Sequence, residues 1–482
     1  MLGPIIPPLL PTPSSWFPGH MAKFTRLLPS LLAQTNVVLE VRDSRLPLTS
    51  VNPAFEEVLK RWRLERGWDP QDPTRRIVDS VGCERIVVFS KRDLVPDWGM
   101  EPFRRAMQSR FPDQKFMFAS FNRGRDIRKL SDTLVEIAKR YPYAMELNVL
   151  VVGMPNVGKS TLLNSLRNAG IKGRTPKALQ TSSNPGHTRA ISTRLKLSLD
   201  PLVYAYDSPG VMLPFLGQGE RGAERGVKLA LIAGIQEGLY DIETLAAYLL
   251  YRINILNPSS PAYLSLLSPD ARATNSIEDF LESLGQRLRM IGRRGEVDRR
   301  RAAVFFVKWW RDEGGLAISD AAPPGLQFGS SVSNRLKEPS RRAKALANPN
   351  LDADSSIAAV DLSSPGLLSE RFSDETELPL ERGELIPANT THGWGFDLEW
   401  DLSRTELEHA RRQKHVPQLL QSKMEMSIDR HLEDLMVEDE YEINLSDTQR
   451  KKRIVLQEKE RRKAKYAEIT RARAKIARAA IR

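Results

Sequence analysis

Within this 482-residue chain, the run with the most chemistry is Gly153-Met154-Pro155-Asn156-Val157-Gly158-Lys159-Ser160. Its glycines let the backbone curl so that several amides converge on phosphate oxygens. Lys159 stands where an ammonium neutralises β and γ phosphates, and Ser160 stands where a hydroxyl ligates Mg2+. The run follows the strand-like segment Asn148 to Val152 and opens a helical pattern, the setting such a loop requires. Asn156, Val157 and Thr161 belong to the same nucleotide-binding set as Gly153, Gly158, Lys159 and Ser160. These residues predict a nucleoside triphosphate site.

The base is read elsewhere. Ser90-Lys91-Arg92-Asp93 follows directly on the β-branched run Arg85 to Phe89. A carboxylate at Asp93 accepts from both the ring N–H and the exocyclic amine of guanine; adenine would leave it unpaired, at a cost of several powers of ten in preference. Ser120, just past the run Lys115 to Phe118, joins Ser90, Lys91 and Asp93 on this side. Asp207-Ser208-Pro209-Gly210 ends the run Leu202 to Tyr206, which puts a carboxylate where it can hold Mg2+ through water and a glycine amide where it can sense the γ-phosphate. Between these motifs, Thr188 in the segment Asn184 to Thr188 offers a further hydroxyl for Mg2+.

A conventional GTPase presents the phosphate loop first and the base motif last, whereas here the base motif at 90–93 precedes everything else. The sequence resembles a circularly permuted GTPase. More narrowly it is similar to the YlqF/RbgA family and, within it, to mitochondrial ribosome-associated GTPases. The match rests on Trp16-Phe17-Pro18-Gly19-His20-Met21, on Arg42-Asp43-Ser44-Arg45-Leu46-Pro47 with Asn52-Pro53, and on the phosphate loop and Asp207 to Gly210. Lys228-Leu229-Ala230, Gly295-Glu296-Val297-Asp298 and Arg301-Ala302-Ala303 also agree, so the resemblance spans about residues 16–318.

Several roles come with that resemblance. In Ras-like enzymes a glutamine after DxxG orients the attacking water; here that position is Val211, and the resemblance assigns His20 to catalysis beside Lys159. Asn156 matches the asparagine that accompanies K+ dependence, with K+ standing in for an arginine finger. Ser90 departs from the usual asparagine, which puts guanine affinity in question more than guanine identity. The resemblance further implies Mg2+, GTP and GDP as ligands, the large ribosomal subunit and its rRNA as partner, and the mitochondrial matrix with a peripheral association at the inner membrane.

The elements that must position these residues alternate: β-branched runs at Asn36 to Val41, Arg85 to Phe89, Lys115 to Phe118, Asn148 to Val152 and Leu202 to Tyr206, with helical patterns such as Leu130 to Arg140 and Lys159 to Asn168 between them. This predicts an α/β fold: a circularly permuted P-loop GTPase domain with a Ras-like sheet flanked by helices. After Gly222 only helical spacing remains, as in Ile242, Leu245, Leu249, Ile253 and Leu256. Ser276 with Asp279 marks a helix start. The expected organisation is a leader over 1–15, the GTPase domain over 16–221 and a smaller all-helical, ribosome-binding domain over 222–319. A disordered linker over 320–386 and a largely disordered or helical extension over 387–482 follow, ending in a basic helical tail at 450–482.

Hydrophobic residues are 41% and charged residues 27% of the chain, the balance of a soluble globular protein, and no apolar run reaches the length of a spanning helix. A single cysteine, Cys83, excludes an intramolecular disulfide framework. Met1 to Gly19 holds no Lys or Arg, so it carries neither the pattern of a mitochondrial presequence nor the basic start of a signal peptide. The net charge of +12 is concentrated: residues 450–482 hold 14 Lys/Arg and three Glu, which leaves +1 for everything before them. Such a tail predicts a polyanionic partner, and with Tyr466 as its only aromatic it suits phosphate contacts more than base stacking.

The functional expectation is a GTP-hydrolysing assembly factor of the large ribosomal subunit, released when GTP is hydrolysed. The competing expectation is a nucleotide-gated scaffold with negligible hydrolysis, because Val211 and Ser90 both depart from strong GTPase chemistry. A third is an RNA-binding ATPase, which intact guanine selectivity dependent on Asp93 would exclude.

Overall fold

The computed structural model describes residues 5–13, 16–69, 71–72, 74–77, 82–171, 178–179, 186, 188, 194–257, 261–292, 295–314, 389–413 and 415–440, with residues 451, 454–455, 458–459 and 461–462. The expected linker, most of the basic tail, and Asn184, Pro185 and His187 lie outside the described residues.

Alternating β-branched runs become a six-stranded sheet: β1 (Val37–Asp43), β2 (Glu84–Ser90), β3 (Lys115–Phe118), β4 (Leu147–Gly153), β5 (Leu195–Leu199) and β6 (Leu202–Asp207). Their order across the sheet is β3-β2-β1-β4-β6-β5, parallel except for β5, which pairs antiparallel with β6. Started from β4, the phosphate-loop strand, the sheet is that of a Ras-like domain; in this chain the half built from β1 to β3 comes first. β5 escapes periodicity because it is a short edge strand whose only buried apolar residues are Leu195 and Leu197.

Helices α1 (Gly19–Ala33), α2 (Pro53–Glu65), α3 (Asp97–Arg110), α4 (Gly124–Arg140) and α5 (Lys159–Gly170) cover both faces of the sheet. β1 is buried along its whole length, so its alternation separates two interiors rather than core from solvent. Val37, Leu39 and Val41 enter the main apolar core, while Val38 joins a second cluster with Phe24 and Leu28 of α1 and Phe55 and Leu59 of α2. Glu40 lies on that second side and carries its charge into the interior, where Arg42 and Arg85 meet it.

Beyond β6 the chain is helical: α6 (Gly219–Leu231), α7 (Ile242–Leu256), α8 (Ile277–Arg287) and α9 (Arg299–Trp309). The start marked by Ser276 is real, since its hydroxyl accepts from the Asp279 amide at 3.1 Å, and Asp241 caps α7 in the same manner. These helices pack into the main core with the sheet through Met212, Leu213, Leu216 and Val227, so one contiguous apolar cluster spans both parts.

The C-terminal region contributes structure for which the sequence reading assigned no strands. β7 (Asn389–Trp394) and β8 (Leu398–Ser403) form an antiparallel hairpin, followed by α10 (Arg404–Arg412) and α11 (Val416–Glu440). Leu398, Trp400 and Leu402 alternate inward and, with Leu420, Met424 and Ile428 of α11, pack against Phe89, Phe103 and Phe116. No described helix is long and apolar enough to cross a membrane.

Candidate functional site

In a parallel sheet whose neighbouring central strands connect outward in opposite directions, a crevice opens at their carboxyl ends. Here those strands are β1 and β4. Asp43, Ser90, Gly153 and Asp207 are the last residues of β1, β2, β4 and β6, and Ser120 lies two residues beyond β3. The sheet therefore brings the predicted phosphate-side and base-side residues to one edge.

On the phosphate side, Gly153 pairs with Val41 in register and has φ +146°; a Cβ there would lie 2.3 Å from the Val41 carbonyl oxygen, so only glycine fits. Gly158 caps α5 at φ +93°, and the backbone amides of that helix start face the crevice. Lys159 is buried and donates to the carbonyls of Gly153 (3.2 Å) and Met154 (2.7 Å). Burial lowers its pKa to about 8 against the pull of Asp207. Burial likewise raises the Asp207 carboxyl, opposed by Lys159 and by the Ser160 hydroxyl that donates to Oδ2 at 2.5 Å. Ser160 and Asp207 thus present adjacent hard oxygen donors, a set that fits Mg2+. Val157 is fully buried and Thr161 exposed, while Thr188 is half-buried, with no contact among the described residues that joins it to the Ser160–Asp207 pair.

The Asp207-to-Gly210 segment lies directly on the phosphate loop. A Cβ on Gly210 would come 2.7 Å from Pro155, and the Val211 amide donates to Gly153 O at 3.2 Å. The Val211 side chain packs in the apolar cluster with Phe24 and Leu150 rather than toward the crevice.

On the base side, Ser90 is fully buried and gives its hydroxyl to Arg42 O at 3.0 Å. Lys91 adopts φ +55° and donates from Nζ to Asp43 at 2.9 Å. Asp43 also holds Arg45 through both carboxylate oxygens, and although burial opposes it, these two cations keep its carboxyl well below the usual range. Asp93 is half-buried and makes no hydrogen bond or ion pair among the described residues. Asp126 joins the two base-side loops: it accepts from the Ser120 amide at 2.9 Å and pairs with Arg92 at 2.7 Å. Phe121 then reaches the phosphate loop, where a Cβ on Gly158 would touch its ring at 3.0 Å.

His20 lies in the first turn of α1, near Gly186. Gly186 lies against the Trp16 ring, and a Cβ on it would be 3.7 Å from His20 Cε1. The Met212 amide, two residues past Gly210, donates to Met21 Sδ at 3.4 Å. Trp16 extends further, donating from Nε1 to Gln236 at 3.0 Å. Asn156 turns its amide nitrogen to Ala233 O at 2.7 Å, in the connection between α6 and α7. Sequence reasoning gave no individual role to Asp43, Arg45, Ala233 or Gln236. Of these, Asp43 carries a signal in the sequence: it is a carboxylate at the end of a strand, within Arg42-Asp43-Ser44-Arg45-Leu46-Pro47.

Residues 148–254 match the family model described as a 50S ribosome-binding GTPase. Mitochondrial GTPase 1 of Schizosaccharomyces pombe is 32% identical over 305 residues, covering 62% of this chain and 87% of that protein. Mitochondrial ribosome-associated GTPase 1 of Mus musculus is 33% identical over 244 residues, covering 50% of this chain and 66% of its own length. A GNP-bound structure of YlqF from T. maritima aligns with 61% of this chain and 95% of its own at 19% identity and a TM-score of 0.37. An α/β sheet in permuted order, carrying a phosphate loop inside a matched GTPase region, makes this enzyme a GTPase. It hydrolyses GTP to GDP and phosphate. Within that class the chain belongs to the mitochondrial GTPase 1 family.

Proposed function

We propose that this GTPase serves assembly of the large ribosomal subunit in the mitochondrial matrix, binding the subunit with GTP and leaving when GTP is hydrolysed. The relatives' names, mitochondrial and ribosome-associated, support the compartment and the partner. One observation carries the coupling: Asn156 of the phosphate loop is bonded to Ala233 at the end of the α6 connection, while Asp207 to Gly210 run by the same loop into α6. A change at the γ-phosphate would move both attachments of the helical region at once.

In this reading Asp93 accepts from guanine, with Ser90, Lys91 and Ser120 shaping the base side. Gly153, Val157, Gly158 and Thr161 form the phosphate cradle with the α5 amides, Gly210 senses the γ-phosphate, and Lys159 turns from the loop carbonyls toward the phosphates. Ser160, Asp207 and Thr188 would hold Mg2+, which neutralises phosphate charge. In the same reading Asn156 would take part in holding K+. Val211 faces the core, so in this reading the proton acceptor or water-orienting group comes from elsewhere, and His20, near Gly186, supplies it.

The helical region 222–319 and the basic tail would contact rRNA, the tail through phosphates. The same charge suits a peripheral hold on an acidic inner-membrane surface. The domain limits at 16–221, 222–319, 320–386 and 387–482 belong to this proposal too.

The test is GTP and ATP turnover with and without large subunits, in K+ and in Na+, for the wild type and His20→Ala. The reading predicts GTP-selective turnover raised by subunits and by K+, and lost in His20→Ala with GTP binding retained. Tight GTP binding without subunit-stimulated turnover would support the scaffold reading instead.

A further inference from the structure

The hairpin tip between β7 and β8 touches the base side at two places. Its first attachment is the segment after β1. The Phe396 amide donates to Arg45 O at 2.9 Å. Asp397, an almost fully buried carboxylate, accepts from the amides of Leu48 (2.9 Å) and Thr49 (2.8 Å) and from the Thr49 hydroxyl (2.6 Å). Gly395 has φ +63° and sits so close that a Cβ would lie 2.9 Å from Arg45 O. The second attachment is the start of α3. Trp394 is completely buried, donates to Pro96 O at 2.9 Å and occupies the space that a side chain at Gly99 would need.

The base-reading residues lie between these attachments. Ser44, within the first segment, donates from both amide and hydroxyl to Ser90 O, at 3.0 and 2.5 Å. Arg45 and Lys91 share the Asp43 carboxylate. Pro96, under Trp394, is three residues past Asp93. Neither the 44–49 loop nor the Pro96 turn is a regular element, so tertiary contacts hold their geometry and, through them, that of Lys91 and Asp93.

From this we infer that the C-terminal hairpin tip, residues 394–398, positions the guanine-recognition residues, with Asp397 as the positioning residue that latches the 44–49 loop. A segment about 300 residues downstream thereby takes part in choosing the base. The inference rests on the assignment of guanine to Ser90–Asp93 and deepens it. It predicts a base-side effect: GDP and GTP share the base and lose affinity together, while ATP, which does not use Asp93, is unaffected.

The experiment titrates the full chain with fluorescent GDP and GTP analogues, with ATP as competitor, for the wild type, Asp397→Ala, Thr49→Val and Arg110→Ala. Arg110 pairs with Asp429 of α11, elsewhere on the same C-terminal segment, and reports a merely structural loosening. Asp397→Ala should weaken GDP and GTP alike by about tenfold, the worth of one charge-assisted hydrogen bond. Thr49→Val, which removes one hydroxyl and no backbone contact, should weaken both by about threefold, and it keeps the test open should Asp397→Ala not fold. Arg110→Ala should change neither.

Unchanged guanine nucleotide affinity in the folded Thr49→Val and Asp397→Ala proteins would overturn the inference, whatever their melting temperatures. So would a loss shared by ATP, or one confined to GTP. A wild type that binds ATP as tightly as GTP would instead sink the guanine assignment itself, before any variant is compared.

Discussion

Lys159 is enclosed by the loop it serves, bonded to two loop carbonyls and held by burial at a pKa of about 8. Phosphate oxygens beside it would favour the ammonium, so the nucleotide-bound state holds a proton that the free protein has begun to release. The sign follows: below pH 8 both states carry the charge and affinity is level, and above it affinity falls by up to about tenfold per unit until the bound lysine titrates too. Isothermal titration in buffers of different ionisation enthalpy should find close to one proton taken up near pH 9, and Lys159→Met should abolish both the uptake and the slope. Residue chemistry of this kind was readable in the sequence because a phosphate loop is local, one strand end and one helix start. The attachments of Asn156 to Ala233 and of Trp16 to Gln236 were not readable, since each joins residues distant in the chain and neither partner type advertises its role.

At the scale of elements, β1 pays for its central place with a buried charge network. Glu40 meets Arg42 and Arg85 inside the sheet, and Glu56 on α2 meets the same two arginines from the rim. Burial alone would raise the Glu40 carboxyl, but the two guanidiniums outweigh it and bring its pKa from 4.5 to about 2. A carboxyl depressed on folding stabilises the native state above about pH 4.5, and the stabilisation is lost as pH falls toward 2. Replacing it with Glu40→Gln leaves two buried cations under-compensated and should cost about 3 kcal/mol at pH 7 by urea denaturation, with the difference from wild type shrinking below pH 4.

Short β-branched runs marked five of the six strands of this sheet, helical spacing marked α4, α5 and α7, and the Ser276 cap marked the start of α8. The sequence reading assigned no strand to β8 for a physical reason: it is six residues long, only Leu398, Trp400 and Leu402 turn inward along it, and they take their partner surface from Phe89, Phe103 and Phe116, about 300 residues earlier.

For the whole molecule, permuted order changes what a nucleotide can move. In this chain the switch segment after β6 leads straight into α6, and α6 is braced from outside by α11 through the pairs Arg225–Glu438 and Arg221–Asp434. In the proposed reading, conversion of GTP to GDP would act at the junction of two regions that share one core. That arrangement suits an enzyme whose hydrolysis changes its hold on a large partner. The measurement that tests this most directly is retention on purified large mitochondrial ribosomal subunits after sedimentation, with GTP, a non-hydrolysable GTP analogue or GDP, for wild type and His20→Ala. The account predicts that wild type stays bound with the analogue and leaves with GTP or GDP, and that His20→Ala stays bound with GTP as well. Equal retention of wild type with GTP and with the analogue, during demonstrated turnover, would contradict it.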